Sequence, residues 1–147
     1  MIDTRTAPYA ALVLRVTLGV LFLAHASLKL FVFTPAGTAK FFASLGMPGE
    51  FAYLVITVEV LSGIALILGV WTRYAALAGI PILLGAISTV HGAAGFFFTN
   101  PKGGWEYPAF WTVALVAQAL LGDGAYALRP SRQNDAVGGL LSGAHSR

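Results

Sequence analysis

The chain has 147 residues, 57% of them hydrophobic and only 10% charged, and its mean hydropathy is +0.77. A soluble domain carries roughly 25% charged residues, so composition excludes an ordinary water-soluble globule and a disordered chain and points to the bilayer. The net charge of +3 is too small and scattered for a nucleic-acid footprint, and the absence of Cys excludes disulfides, thiolate metal sites and thiol redox chemistry within the chain.

A membrane helix needs roughly 20 apolar residues, and four stretches qualify. The first spans about residues 9–33, after Thr6-Ala7-Pro8, and stops near Thr34-Pro35-Ala36-Gly37. Ala24-His25-Ala26 imitates a signal-peptide cleavage site, but Arg15 interrupts the apolar core such a peptide needs, so an intact span is expected. The second spans about 51–70, after Gly46-Met47-Pro48-Gly49-Glu50. The third spans about 74–91, and Pro81 within it predicts a kink. The fourth, about 108–121, is short and is stopped by Gly122-Asp123-Gly124. No two-residue alternation supports strands.

The expected fold is therefore all-α, an integral membrane four-helix bundle. Residues 1–128 form the four-span domain and 129–147 a flexible cytoplasmic tail. Arg5, Arg73, Arg129, Arg132 and Arg147 fall on one side, against Lys40 and Lys102 with Lys29 close by on the other. Basic residues favour the cytoplasm, so both termini are expected there, in the bacterial cytoplasmic membrane, with the 34–50 and 92–107 loops facing outward.

Ionisable groups inside spans are costly and mark candidate sites. Arg15, His25 and Lys29 fall within about 80° of one another on the first helix. Glu59 shares a stripe with Ser62 and Gly63, His91 with Ser88, and Gln118 with Trp111 and Ala114. Turned inward, these faces make a polar seam. Depth estimates place Glu59 against His25, with Lys29 and His91 above them, while Arg15 snorkels or reaches up toward Glu59. The bland reading is a charge-neutralising network that fixes register. The functional one is a ligand, proton or quinone site in the outer half of the bundle. No metal is expected: His25, Glu59 and His91 lack ligand spacing, and Lys29 would oppose a cation. Two lone histidines are weak evidence for haem.

Residues 92–111 are rich in aromatics. They read either as an interfacial belt or as a lid, in which Trp105 and Tyr107 cover the bundle mouth and Glu106 pairs with Lys29 or Lys102. Small pairs such as Ala65/Gly69 and Ala75/Gly79 suit close helix packing, within one chain or in a homo-oligomer.

Several motifs stand in order: Arg15-x-x-x-Gly19, His25-Ala-Ser-x-Lys29-Leu30, Phe41-Phe42-x-x-Leu45-Gly46-Met47-Pro48, Glu59-Val-Leu-Ser-Gly63 through Thr72-Arg73, and Gly104-Trp105-Glu106-Tyr107-Pro108. Together, over about residues 11–129, they resemble the DoxX family of small four-span bacterial membrane proteins. Two features depart from that pattern: Ala26-Ser27 follows the histidine where the family has Gly, and Ala127-Leu128-Arg129 replaces its Ser-Leu-Asp-like segment. The resemblance implies a membrane subunit or scaffold associated with a redox partner protein, with a quinone as the candidate cofactor. The alternative is a small-solute or proton path formed by an oligomer. An enzyme acting alone is not expected, since no nucleophile–base pair or cofactor motif is present.

Overall fold

The computed structural model describes residues 3–130. Helix α1 (Ala7–Ser27) continues into a π turn at Leu28–Val32. Then follow α2 (Pro35–Ser44), α3 (Phe51–Leu68) and α4 (Thr72–Ala86), which continues into a second π turn at Ile87–His91 and a 3₁₀ turn at Gly92–Ala94; α5 (Glu106–Leu121) is last. No strand occurs among the described residues. Three helical stretches, Ala7–Val32, Phe51–Leu68 and Thr72–Ala94, are long and apolar enough to cross a membrane. The α5 helix has 16 residues.

Burial is inverted relative to a soluble protein. Arg15, Glu59, Thr72 and Gln118 are buried, whereas Phe31, Tyr74, Phe110 and Leu120 are more than 70% exposed. Water would not tolerate that surface and acyl chains would. The packed interior is an apolar cluster that includes Leu18, Phe22, Leu66, Leu83, Trp111 and Leu115, drawn from α1, α3, α4 and α5.

Without water to drive helices together, close backbone approach and dispersion must hold them. The α1–α3 pair shows this at Gly19 and Gly63. A Cβ at Gly19 would lie 2.8 Å from the Gly63 carbonyl oxygen, and one at Gly63 would lie 3.0 Å from the Gly19 carbonyl oxygen. Of the pairs the sequence pointed to, Gly79 is also a close-packing position, since a Cβ there would collide with the Phe22 ring of α1. Gly19→Val is expected to lose about 1–3 kcal/mol through overpacking; a melting curve in detergent equal to that of wild type would show that the helices stand further apart.

The 34–50 segment, expected as a loop, contains a helix. Thr34 caps α2, its Oγ1 accepting from the Gly37 N–H at 3.1 Å, and Pro35 supplies the favoured first-turn residue. Thr38 is buried and donates its hydroxyl to the Thr34 carbonyl at 2.9 Å. Pro81 lies within α4, which runs on past it to Ala86.

At the opposite end of the bundle, residues 122–130 fold back on α1 and α3. Ala125 N–H donates to the Pro8 carbonyl at 2.9 Å, and Leu128 and Arg129 donate to the carbonyls of Leu68 and Gly69 at 3.0 and 3.2 Å. The Arg129 guanidinium lies 5.6 Å from the Trp71 ring centroid. Arg129, the expected start of the tail, is therefore fixed in place; the rest of that tail from 131 onward lies outside the described residues.

Candidate functional site

The candidate site lies at the end of the bundle that carries α2. Here α1 and α4 both give way to π turns. In the first, the Phe33 N–H bonds to the Leu28 carbonyl at 2.8 Å, closing an i→i+5 ring. Such widened turns redirect side chains and recur at functional sites. Lys29 sits inside the first of them and His91 closes the second.

Lys29 takes Glu59 as its partner. Its Nζ donates to Glu59 Oε1 at 2.8 Å and Oε2 at 2.9 Å, and the Glu59 carboxylate is almost fully buried. The expected Glu59–His25 pair does not form. His25 instead turns Nδ1 to the Leu21 carbonyl of its own helix at 3.0 Å. The reason is reach: Lys29 stands one turn beyond His25 and carries a long flexible stem, so it can lay its ammonium down onto a carboxylate at lower depth.

His25 joins an aromatic cluster with Tyr107 and Trp111 from α5. Its ring is stacked on Tyr107 at 6.2 Å with an interplanar angle of 19°, and lies 4.9 Å from the Trp111 ring. Tyr107 and Trp111 are 5.7 Å apart. Trp111 is the site residue that reasoning from the sequence undervalued. On the sequence it shares the stripe of Gln118, an aromatic at helical spacing reads first as core, and Trp111 is also core.

Beside this cluster lies a cavity of about 520 Å³. Its polar lining comes from His25, Lys29, Glu59, Thr89, His91 and Tyr107, and the remainder is apolar, with Phe41, Phe42, Val55 and Trp111 among the walls. A second cavity of about 600 Å³ adjoins it, sharing His25, Lys29, Phe41, Phe42 and His91. The side chains of α2 thus form part of the wall between them. A concave, mostly apolar space with a few convergent polar groups is the usual form of a small-molecule site.

The aromatic loop stands over the same end. His91 holds it, its Nδ1 lying 2.9 Å from the Gly103 carbonyl. Trp105 packs edge-on to Phe96 at 4.8 Å and lines neither cavity. Glu106 Oε1 accepts from the Phe98 N–H at 2.8 Å, so it stabilises the loop's own turn and does not meet Lys29 or Lys102. Tyr107 is the loop-proximal aromatic that reaches the cavity.

Two expected members of the seam lie elsewhere. Arg15 is at the opposite end, where Nη1 donates to the Leu66 and Ile67 carbonyls at 3.0 and 3.1 Å and Nη2 to the Ala125 carbonyl at 3.1 Å. These are last-turn carbonyls of α3 and one from the returning segment, so Arg15 caps the negative end of a helix. It makes no bond to Glu59. Gln118 is fully buried near the end of α5 and donates Nε2 to the Gly122 carbonyl at 2.7 Å. Angle on a helical wheel brought both into the seam; of the two alternatives for Arg15 the reach toward Glu59 is not taken, and depth removes Gln118 as well. Ten residues separate Arg15 from His25, about 15 Å of helix.

The DoxX family model matches residues 10–92. The chain belongs to the DoxX family. This DoxX chain is also 32% identical over 119 residues to a protein of Bacillus subtilis (strain 168) named "Putative oxidoreductase CatD", in an alignment covering 81% of this chain and 84% of that one. No solved structure matches it significantly. The matched stretch of the DoxX model includes His25, Lys29, Glu59 and His91, whereas Tyr107 and Trp111 lie beyond it.

Proposed function

We propose that this DoxX protein is a non-catalytic membrane component of an oxidoreductase system, holding a quinone in the 520 Å³ cavity for a redox partner protein. The observation that carries this reading is the convergence of His25, His91 and the Lys29–Glu59 pair on an apolar chamber floored by stacked rings. A quinone is a planar ring bearing two polar atoms, and the chamber offers an aromatic surface with polar groups at its edge. The name of the Bacillus relative agrees with a redox role.

In this reading α5 is a fourth span. It presents Phe110, Val113 and Leu120 outward, each more than 60% exposed, as the three longer helices present their apolar faces. Arg5, Arg73, Arg129, Arg132 and Arg147 then share the cytoplasmic side with both termini, and the chamber opens near the outer face of the bacterial cytoplasmic membrane. The polar groups favour a chamber over a through-path for protons or solutes. Leu18 and Phe22 separate Arg15 from His25 along α1, and both belong to the packed core.

Gentle purification followed by solvent extraction tests the reading. Wild-type protein is expected to retain ubiquinone or menaquinone in sub-stoichiometric to equimolar amounts, and His25→Ala is expected to lower that occupancy at least several-fold. Wild-type protein free of quinone, and unable to bind added quinone, would remove the proposal.

A further inference from the structure

Hydrogen-bond polarity within the chamber selects one form of its ligand. Each polar group on the cavity wall can be assigned from the bonds it already makes. His25 Nδ1 lies 3.0 Å from the Leu21 carbonyl, and His91 Nδ1 lies 2.9 Å from the Gly103 carbonyl. A carbonyl oxygen only accepts, so in both rings Nδ1 carries the hydrogen. In the neutral imidazole Nε2 is then left as a bare acceptor. Thr89 donates its hydroxyl to the Gly85 carbonyl at 2.8 Å, which leaves only oxygen lone pairs toward the cavity. Glu59 is a carboxylate and accepts alone, and it already engages two of the three Lys29 N–H groups. What remains to donate is one N–H of Lys29, the hydroxyl of Tyr107 and the buried, unpartnered Nε1–H of Trp111, against His25 Nε2, His91 Nε2, the Thr89 oxygen and both Glu59 oxygens as acceptors.

Acceptors therefore outnumber donors around this space. An oxidised quinone brings two carbonyl oxygens, which are acceptors again. Its reduced form brings two phenolic hydroxyls, which donate. An aliphatic alcohol would also donate, but it lacks the planar face that the His25, Tyr107 and Trp111 rings invite.

We infer that the chamber binds its ligand as the quinol, with a ring hydroxyl donating to His25 Nε2 and the ring lying against the aromatic cluster. This rests on the quinone-site reading above and adds to it the redox state that is held. One well-formed hydrogen bond in place of an acceptor–acceptor conflict corresponds to about a tenfold difference in affinity.

The test is equilibrium binding of a short-prenyl benzoquinone and of its reduced quinol, under argon, to the full chain in detergent. The expected result is quinol binding about tenfold tighter than quinone, with His25→Phe abolishing most of that preference. Equal binding, or tighter quinone, overturns the inference and leaves the quinone site standing. Binding of neither form overturns the site and the inference together. A quinol preference that survives both His25→Phe and His91→Phe overturns the assignment to the histidines. Should the His25→Phe protein fail to fold, ¹⁵N NMR of the wild-type imidazoles decides. Protonated Nδ1 with unprotonated Nε2 at His25 supports the assignment, and the reverse tautomer overturns it. Binding of a prenyl alcohol as tight as the quinol also overturns it, because the ring would then be irrelevant.

Discussion

Lys29→Met is expected to destabilise the protein by about 3–5 kcal/mol, the usual result of leaving one half of a buried ion pair behind. Both Glu59 oxygens are bonded to Lys29 Nζ, and the carboxylate side chain is only 5% exposed against 19% for the lysine. The asymmetry makes the two single changes unequal. Removing Lys29 strands a carboxylate in an apolar wall. Glu59→Gln strands an ammonium at the end of a flexible chain, which can swing toward the interface, so its loss is expected to be the smaller. The double variant Lys29→Met/Glu59→Gln is expected to recover much of the deficit of Lys29→Met, giving a favourable coupling in a double-mutant cycle. Thermal melting in detergent measures all four proteins. If Lys29→Met melts with wild type, or the two changes simply add, the pair does not hold the bundle.

The second large effect belongs to Arg15. Arg15→Met leaves the Leu66, Ile67 and Ala125 carbonyls without their donors, and bonds to a charged group contribute about 1.5–3 kcal/mol each before context reduces them. A net loss of about 3–5 kcal/mol is expected, with the segment 122–130 released from α3. Arg15→Lys is expected to rescue less than half, because a point ammonium cannot reach carbonyls on both sides of a planar fork. Quinone binding by the folded fraction is expected to stay at the wild-type level, which separates this residue from Lys29. The backbone supports the same role. Gly69 ends α3 at φ +70°, and a side chain there would collide with Arg15 Nη1 and with Ala127. Limited proteolysis of residues 122–130 reads the release directly; unchanged cleavage and melting in Arg15→Met would show that the guanidinium holds nothing.

The three long helices were legible because hydrocarbon imposes a length and a polarity that few other environments demand. The α2 helix was not, because ten residues with a modest apolar face look like loop in a hydropathy profile, although Thr34-Pro35 carried the start signal. His25, Lys29, Glu59 and His91 could be brought to one end because charges in a span have few places to go, and all four line the same cavity. Their pairing was not legible. It depended on a π turn that no residue type announces and on how far a lysine stem extends. Gln118 was drawn into the seam by angle alone, and angular position about an axis carries no information on height; for Arg15 depth pointed to the far end of the first helix, but its carbonyl partners were not legible. Trp111 was hidden by serving two purposes, packing against Phe22 at 4.9 Å and facing His25 at the same separation.

The π turns at Leu28–Val32 and Ile87–His91 have one more implication. Each is a surplus residue absorbed by a rod at the rim of the chamber, while the tightly interlocked half below keeps its own phase. Gaining or losing a single residue there would swing everything beyond it by about 100°, presenting new side chains to the occupant without disturbing the foundation. Length changes at two rim positions would thus reshape the cavity of this chain while leaving its interior packing in place.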